Sequence, residues 1–478
     1  MVRSIAFDRF LGRLGFGLLA VPVLAGPWFF GAWEMWWFWP FACFIFAATL
    51  VLGVRLMLPG QARAAGGGNR RPQQVRRLLL LSFAPFFVYA LVRVLQAGVY
   101  MDAERSFLLL LTPFLVAAHI VFGFTRAQTL WIAALVIADL ALLGLYGLVN
   151  HAVTGSALVM WAPGYPTYMS EHRATGSYFC PDHFSGSMEL ALCLALGFIL
   201  DRDSKWSWRA GAAALAGIAL AGIILSKSRG GGLTVLVIGA AALVWGFSQW
   251  PPLTRWCYRV SALSLAGIGL ILFVQFAGSY TERFGRYFGW QRSQDRPWPE
   301  KRDIAVRTIM STTRGRMIGA ALRAWRENPV AGIGPGMHQN IWPHVAASPD
   351  GDRETGRWPS RLNNEFVSYE VHSDWVQLLE EYGLIGLALL LIPFCSVFHV
   401  LRNGLLRSIR ERERSSLRRY ARGRQALTLG AMLAVAAMTF HSFGDFNLQM
   451  PATTWLLAVM LAVPICLLTS HSRAAPQK

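Results

Sequence analysis

The stretch 372–394, HSDWVQLLEEYGLIGLALLLIPF, turns from polar to apolar at Leu384 and decides the fold. At 3.6 residues per turn, one face of a helix here would carry His372, Val376, Leu379, Gly383 and Gly386. Polar residues fill the first three turns, and an apolar run of membrane length follows. The pattern predicts an imidazole at the mouth of a membrane helix, above two glycines that allow close packing against another helix.

Similar apolar runs recur along the whole chain of 478 residues, which is 54% hydrophobic and only 15% charged. This composition lies outside the range of soluble domains and predicts an all-α polytopic membrane protein. We predict twelve transmembrane helices, at about 11–30, 31–57, 78–96, 106–125, 127–149, 184–201, 210–226, 230–249, 258–279, 372–401, 425–443 and 452–470. Residues 1–279 then hold nine spans, residues 280–371 form a large, mostly helical insert, and residues 372–478 hold the last three spans.

The net charge of +19 is concentrated in alternate loops. The basic groups are Arg63, Arg70, Arg71, Arg76 and Arg77; Arg202, Lys205 and Arg209; Arg255 and Arg259; and nine arginines within 402–424. By the positive-inside rule these loops are cytoplasmic, and so are both termini. The distribution therefore indicates topology and contact with membrane lipids rather than a nucleic-acid partner.

Four polar segments fall on the opposite, outer side: about 150–184, SKSRGG at 226–231, the insert, and GDFNLQMP at 444–451. Seven of the ten histidines lie there: His151, His172, His183, His338, His344, His372 and His441. So do Arg173, Arg229, Arg283, Arg286, Arg314, Arg316, Arg323 and Arg326. Arg229 stands out because its turn is too short to be a domain. An ionised group at membrane depth indicates function, with snorkelling to the interface as the alternative.

Several outer motifs admit both a structural and a functional interpretation. The cations and aromatics of 282–303 suit either phosphate binding or contact with lipid headgroups. The turn GIGPG at 332–336 follows a helix pattern, which is the reverse of a P-loop and excludes that kind of nucleotide site. It is either a helix C-cap or a ligand contact. Asp182 is either a helix cap or a site residue. His372 is either a locally bonded histidine or a base that Asp374 or Glu380 orients.

Five pieces of sequence together resemble bacterial O-antigen ligases and O-antigen polymerases, which are membrane glycosyltransferases of the GT-C type. They are RATGSYFCPDHFSG at 173–186, LSKSRGG at 225–231, RAWRENPVAGIGPG at 323–336, His372-Ser373 with Gly383-Leu-Ile-Gly386, and HSFGDFNLQMPA at 441–452. The chain departs from the ligase motif at Leu387-Ala388, where enterobacterial-type ligases carry Thr-His. It also departs at Cys180-Pro181-Asp182, where relatives often carry asparagines. The first departure leaves ligase and polymerase as alternatives.

The resemblance implies a glycan donor on undecaprenyl diphosphate at the periplasmic face of the bacterial inner membrane. The acceptor is the sugar hydroxyl of a glycolipid such as lipid A–core, or of another lipid-linked glycan. A neutral histidine suits the base, and arginines suit the leaving diphosphate. We predict His372 as the base and Arg229, Arg323 and Arg173 as the diphosphate ligands. Secondary candidates are Arg283, Arg286, Arg326, His338, Asp182 and Asp445.

Neither a metal nor a cofactor is expected. The six cysteines show no CxxC and no metal-ligand spacing, and the outer segments carry no acidic pair with such spacing. A transporter or flippase for the same lipid-linked glycans is the main alternative function. It is less consistent with the sequence because we find no internal repeat, and the polar residues gather at the outer mouth rather than at mid-membrane.

Overall fold

A computed structural model describes residues 2–58, 70–156, 159–162, 172–249, 282, 284–346, 368–413 and 423–469. These residues form helices and no strand. The helices are α1 (Val2–Ala25), α2 (Met35–Met57), α3 (Arg70–Leu95), α4 (Tyr100–Gly123), α5 (Arg126–Thr154), α6 (Pro181–Leu200), α7 (Trp206–Ser226), α8 (Arg229–Gln249), α9 (Trp290–Ser293), α10 (Trp298–Ser311), α11 (Thr313–Glu327), α12 (His338–Ala346), α13 (Asp374–Glu413), α14 (Arg424–His441) and α15 (Pro451–Thr469). Two 3₁₀ turns, Phe30–Ala32 and Asn447–Gln449, complete this set.

Within the described part of the chain, nine helices are long and apolar enough to cross a membrane. They are α2 to α8, α13 and α15, with the apolar part of α3 starting at Gln73 and that of α8 ending at Gly246. Eleven of the twelve predicted spans coincide with a helix, and the twelfth, 258–279, lies outside the described residues. The prediction of an all-helical, polytopic protein is confirmed, whereas the count of twelve spans stays a prediction.

Helices α6 and α15 form the centre of the bundle, because most of each is buried inside the protein. Helix α6 packs against α7 and α14, and α15 packs against α4 and α14. The contact between α6 and α14 is close: a Cβ on Gly197 would lie 2.3 Å from the carbonyl oxygen of Ala426. Small residues of this kind let the backbones of membrane helices approach each other.

Helix α13 begins at Asp374, so the prediction that His372 shares its face is wrong. The hydroxyl of Ser373 accepts from the backbone N–H of Val376 at 3.5 Å and so takes the position of an N-cap. His372 precedes it in a left-handed conformation, with φ 58°. At its other end, α13 continues to Glu413, so the first half of the predicted basic loop 402–424 is helical. An i,i+4 pair between Arg407 and Glu411 supports that extension.

Gly383 interrupts α13 with φ 64° and ψ −168°, and the glycine-rich turn after α11 docks into this interruption. The backbone bonds are Ile333 N to Glu380 O, Gly334 N to Glu381 O, Leu384 N to Pro329 O and Ile385 N to Val330 O, all within 2.8–3.1 Å. A Cβ on Gly383 would lie 2.4 Å from the Val330 oxygen. The close approach predicted for this glycine is therefore made to a turn of the insert, while Gly386 faces Tyr89 of α3.

The insert is helical where it is described. Helix α11 packs against α10, α12 and α13, which joins the insert to the bundle. Thr312 caps α11, because its hydroxyl accepts from the backbone N–H of Gly315 at 3.1 Å. The cap fixes the first turn of α11 beside the ends of α6 and α14.

Candidate active site

His372 and Asp445 form the exposed part of a polar cluster where α6, α13 and α14 meet. Nδ1 of His372 lies 3.3 Å from Oδ1 of Asp445, and a quarter of the imidazole side chain remains exposed. The backbone N–H of Asp374 donates to the carbonyl oxygen of Asp445 at 3.2 Å, which ties the two loops together. A carboxylate on Nδ1 favours the tautomer with its proton there, and leaves Nε2 as a proton acceptor.

The carboxylate of Asp445 is fully buried and surrounded by cationic and imidazole groups. Arg314 lies 3.5 Å from Oδ2, His441 3.8 Å from Oδ2, and His183 4.0 Å from Oδ1. Burial raises the pKa of the Asp445 carboxyl. The charge of Arg314 and the hydrogen bond from His372 oppose this effect and hold that pKa well below its usual range. The carboxylate is therefore ionised at neutral pH.

Two arginines share the carboxylate of Asp182 on the other side of the cluster. Arg173 donates to Oδ1 and Arg314 to Oδ2, each at 2.6 Å. Arg173 is 4% exposed and donates its Nε–H to the carbonyl oxygen of Ser226. Arg314 is 23% exposed and also donates to the carbonyl oxygen of Gly444. Of this pair, Arg314 is the cation that solvent or a ligand reaches.

A second histidine–carboxylate pair lies below the first, inside the bundle. Nδ1 of His441 is 2.7 Å from Oε1 of Glu189, and both side chains are fully buried. Ser185 donates to the same oxygen at 3.2 Å. A Cβ on Gly230 would lie 2.6 Å from the His441 ring, and one on Gly231 2.0 Å from the Ser185 hydroxyl. The SRGG turn therefore needs its glycines because α8 begins directly against this pair.

Phe446 separates two of the imidazoles. The edges of His183 and His372 meet its ring with centroids 4.5 and 4.6 Å apart. Trp33 also contacts the ring of Phe446, with the two ring centroids 5.6 Å apart. Next along the chain, the buried amide of Asn447 packs against Gly186 and makes no hydrogen bond within the described residues. The ring of Phe446 thus holds the two imidazoles apart.

The two carboxylates considered as partners of His372 have other roles, so that prediction is wrong. Asp374 accepts from the Ser442 hydroxyl at 2.7 Å and from the Leu448 N–H at 3.0 Å. Glu380 lies 2.8 Å from Nδ1 of His338. Asp445 is the partner because the chain turns back to α13 immediately after α14.

The predicted site residues are divided between this cluster and other places. His372, Arg173, Asp182 and Asp445 belong to it. Arg229 begins α8 next to it, with its guanidinium 4.4 Å from the ring centroid of Tyr287. Three others make their contacts elsewhere: Arg323 with Val345, His338 with Ser368, and Arg286 with Glu282. Arg326 is exposed, and Arg283 lies outside the described residues.

Arg323 points away from Arg314 although both belong to α11. Nine residues on a helix correspond to about two and a half turns and about 14 Å along the axis, so the two side chains point in opposite directions. Accordingly, Arg323 donates to the carbonyl oxygen of Val345 in α12, at 2.8 Å. His338 is buried on the far side of the glycine-rich turn, between Glu380 and the Ser368 hydroxyl.

Sequence reasoning missed the central role of Arg314 and the pairing of Glu189 with His441. One signal for Arg314 was available: a cation in the first turn of a helix opposes the dipole unless a carboxylate holds it. For Glu189 the signal was an acidic residue inside an otherwise apolar span, which by default marks a functional or paired position.

Comparison with known families identifies the middle of the chain. Residues 214–391, from α7 into α13, match the family model described as O-antigen ligase. This match supports the assignment of the chain to the O-antigen ligase and polymerase family. No curated protein matches the chain. The O-antigen ligase match contains Arg229, Arg314 and His372, whereas Asp182 and Asp445 lie outside it and reach the same cluster through the fold.

Proposed function

We propose that the protein is a periplasmic-face glycosyltransferase of the ligase or polymerase kind. It would transfer a glycan from undecaprenyl diphosphate to a sugar hydroxyl of lipid A–core or of another lipid-linked glycan. The observation that carries the proposal is the His372–Asp445 pair beside the partly exposed Arg314, at one end of a membrane bundle. The O-antigen ligase match over 214–391 supports the same reaction class.

His372 acts as the base. The acceptor oxygen attacks the anomeric carbon of the donor sugar and its proton passes to Nε2, while Asp445 holds Nδ1–H. The bond between the anomeric carbon and the diphosphate oxygen breaks, and its electron pair leaves with the lipid diphosphate. A positioned base of this kind contributes roughly 10²–10⁴-fold to the rate.

Arg314 and Arg229 receive the diphosphate. Arg314 keeps part of its guanidinium accessible, and Arg229 starts a helix whose backbone abuts the cluster. Preorganised cations of this kind stabilise charge that develops on the leaving group, without a metal. The buried contacts of Arg173 favour a supporting role: it fixes Asp182, which in turn fixes Arg314.

The polyprenyl chain of the donor enters from the side of the bundle. An apolar cavity of about 250 Å³ lies between α3, α4, α13 and α15. Its walls carry Phe83, Phe86, Phe87 and Phe114 together with leucines of α4 and α15. A surface of this composition suits an isoprenoid chain, because burying apolar area is favourable and nothing in it requires a hydrogen bond.

Reconstitution with a lipid-linked glycan tests the proposal. The purified protein in liposomes receives this donor with either lipid A–core or excess donor as acceptor, and products are separated on a gel. Glycosylated lipid A–core identifies a ligase, and lengthened donor a polymerase. We expect transfer to survive EDTA. Movement of the lipid across the bilayer without a new covalent product would instead establish the transporter alternative.

A further inference from the structure

A small polar pocket lies beside the candidate site, on the other side of Phe446. It has a volume of about 20 Å³, and six segments converge on it: the start of α4, the Gly336 turn, the start of α12, residues 369–370, α13 and the 447–449 turn. Aromatic rings lie between this pocket and the candidate site. Arg105 lies 4.7 Å over Trp33, Trp33 contacts Phe446, and Phe446 contacts His372. The chain also links the pocket to the site, because Glu370 of the pocket lining precedes His372 by two residues.

The lining of this pocket offers hydrogen-bonding groups that the described residues do not use. Glu370 is 7% exposed; its Oε2 accepts from Gln377, and no described residue donates to its Oε1. The side-chain amides of Gln339 and Gln449 also line the pocket and make no hydrogen bond within the described part of the chain. Buried polar groups are normally satisfied, so the Oε1 of Glu370, to which no described residue donates, indicates a polar ligand. The partly buried amides of Gln339 and Gln449 lie where they can bind the same ligand.

Charge and size restrict that ligand. Three carboxylates, Asp102, Glu370 and Glu381, face a single guanidinium, that of Arg105, which disfavours an anion such as phosphate. Burial also raises the pKa of Glu370. The volume accommodates one hydroxyl or hydroxymethyl group, since a water molecule needs at least roughly 10–15 Å³ on this measure. Tyr369, which is 62% exposed, provides a flat apolar face at the rim.

We propose that this pocket is the acceptor-sugar subsite. It receives a hydroxyl-bearing edge of a neutral sugar ring, which Glu370, Gln339 and Gln449 bind while Tyr369 stacks against the ring. Because Glu370 lies two residues before His372, the glycan that carries this sugar extends past Phe446 toward the imidazole. The inference rests on the proposed transferase function, and it assigns the acceptor to the side of the cluster opposite Asp182.

Calorimetry without donor tests this subsite directly. The probes are two delipidated oligosaccharides: the core released from lipid A–core, and the glycan released from the lipid-linked donor. We expect one of them to bind the wild type and to bind Gln339→Ala and Gln449→Ala at least tenfold more weakly. Tyr369→Ala should weaken binding similarly, and Tyr369→Phe should retain it. Gln294→Ala, at an exposed position of the insert, is the matched control.

Failure of the proposed subsite can be distinguished from failure of the proposed transferase function. Absence of binding by both oligosaccharides, or equal binding by wild type and by the folded glutamine variants, overturns the subsite. Unchanged melting temperature and elution volume establish that a variant is folded. An oligosaccharide that binds through this pocket without any transfer in the liposome assay keeps the subsite and removes the transferase function.

Discussion

His372 is held in a left-handed backbone conformation, which a residue with a side chain adopts only when its surroundings impose it. Such a conformation costs on the order of 1–3 kcal/mol. Here the backbone bond from Asp374 to Asp445 and the side-chain contact to Asp445 impose it from two directions. The position of the imidazole is thus fixed by the loop after α14 rather than by its own helix.

Arg314→Lys should reduce transfer about 10- to 100-fold while the protein remains folded. A lysine keeps the charge but loses the fork that bridges Asp182, Asp445 and the Gly444 carbonyl. A hydrogen bond to a charged group contributes about 1.5–3 kcal/mol. The measurement is the initial transfer rate in proteoliposomes. Arg326→Lys, an exposed position on the same helix, should match wild type, and a rate for Arg314→Lys within twofold of wild type would contradict the account.

Asp445→Asn should lower the melting temperature in detergent at neutral pH, and this difference should vanish in acid. The pKa of Asp445 is depressed in the folded state, so its stabilisation is present above the unfolded pKa of about 3.9. It is lost as pH falls through the folded value. The gap between wild type and variant should persist down to about pH 4 and shrink below it. A gap that is constant between pH 7 and pH 3 would disprove ionisation of Asp445 as its source.

The sequence revealed some of these residues and concealed others. His372 was found because a polar stretch directly precedes a long apolar run, and Asp445 because it lies in a polar segment between two spans. Arg314 is one of fifteen arginines in the outer segments. Its position in the first turn of a helix is the one local signal that distinguishes it from Arg323. Its contact with Asp182, across 132 positions, is a property of the fold.

At the scale of elements, the docking of the glycine-rich turn on α13 couples the insert to the site. Gly383→Ala should destabilise the protein by about 1–3 kcal/mol, because φ is positive and the added Cβ would clash with the Val330 carbonyl. Thermal unfolding in detergent measures the change. Gly217→Ala in α7, where a Cβ meets nothing within 4 Å, should be neutral or slightly stabilising. Equal effects of the two substitutions would show that the docking contributes nothing.

Hydropathy predicted where the helices lie and not where they bend. The apolar run after Leu384 is continuous with the polar turns before it, so the sequence reads as one helix from His372. The break depends on Gly383 meeting a backbone more than 50 positions earlier, at Val330. Glycine permits such a conformation, but only the partner imposes it.

For the whole molecule, the positive-inside rule predicts that the insert and the basic segment 402–424 lie on opposite sides of the membrane. Arg326→Cys in α11 should react with a membrane-impermeant maleimide in intact spheroplasts. Arg410→Cys in α13 should react only after permeabilisation, because both positions are exposed but lie at opposite ends of the bundle. The wild type gives the background of the native cysteines. Labelling of Arg410→Cys alone in intact spheroplasts would show that the topology is the opposite of the one predicted.

The fold class follows from composition, because only helices satisfy so many backbone groups within long apolar runs. The convergence of the site residues does not follow from composition. The members of the site come from α6 and the residues before it, α8, α11, the residues before α13, and α14 with the loop after it. Their order in sequence does not determine their order in space. Four of the five motif segments of the resemblance contribute residues to the cluster, whereas 323–336 does not. Packing determines which side chains within them meet.

The rate of covalent glycan transfer by His372→Ala in proteoliposomes tests the central claim most directly. The donor is the lipid-linked glycan, the acceptor is whichever one the wild type uses, and product is quantified on a gel. We predict a loss of roughly 10²–10⁴-fold for His372→Ala. His344→Ala, an exposed histidine in α12, should match wild type. Transfer by His372→Ala at the wild-type rate would contradict the assignment of His372 as the base.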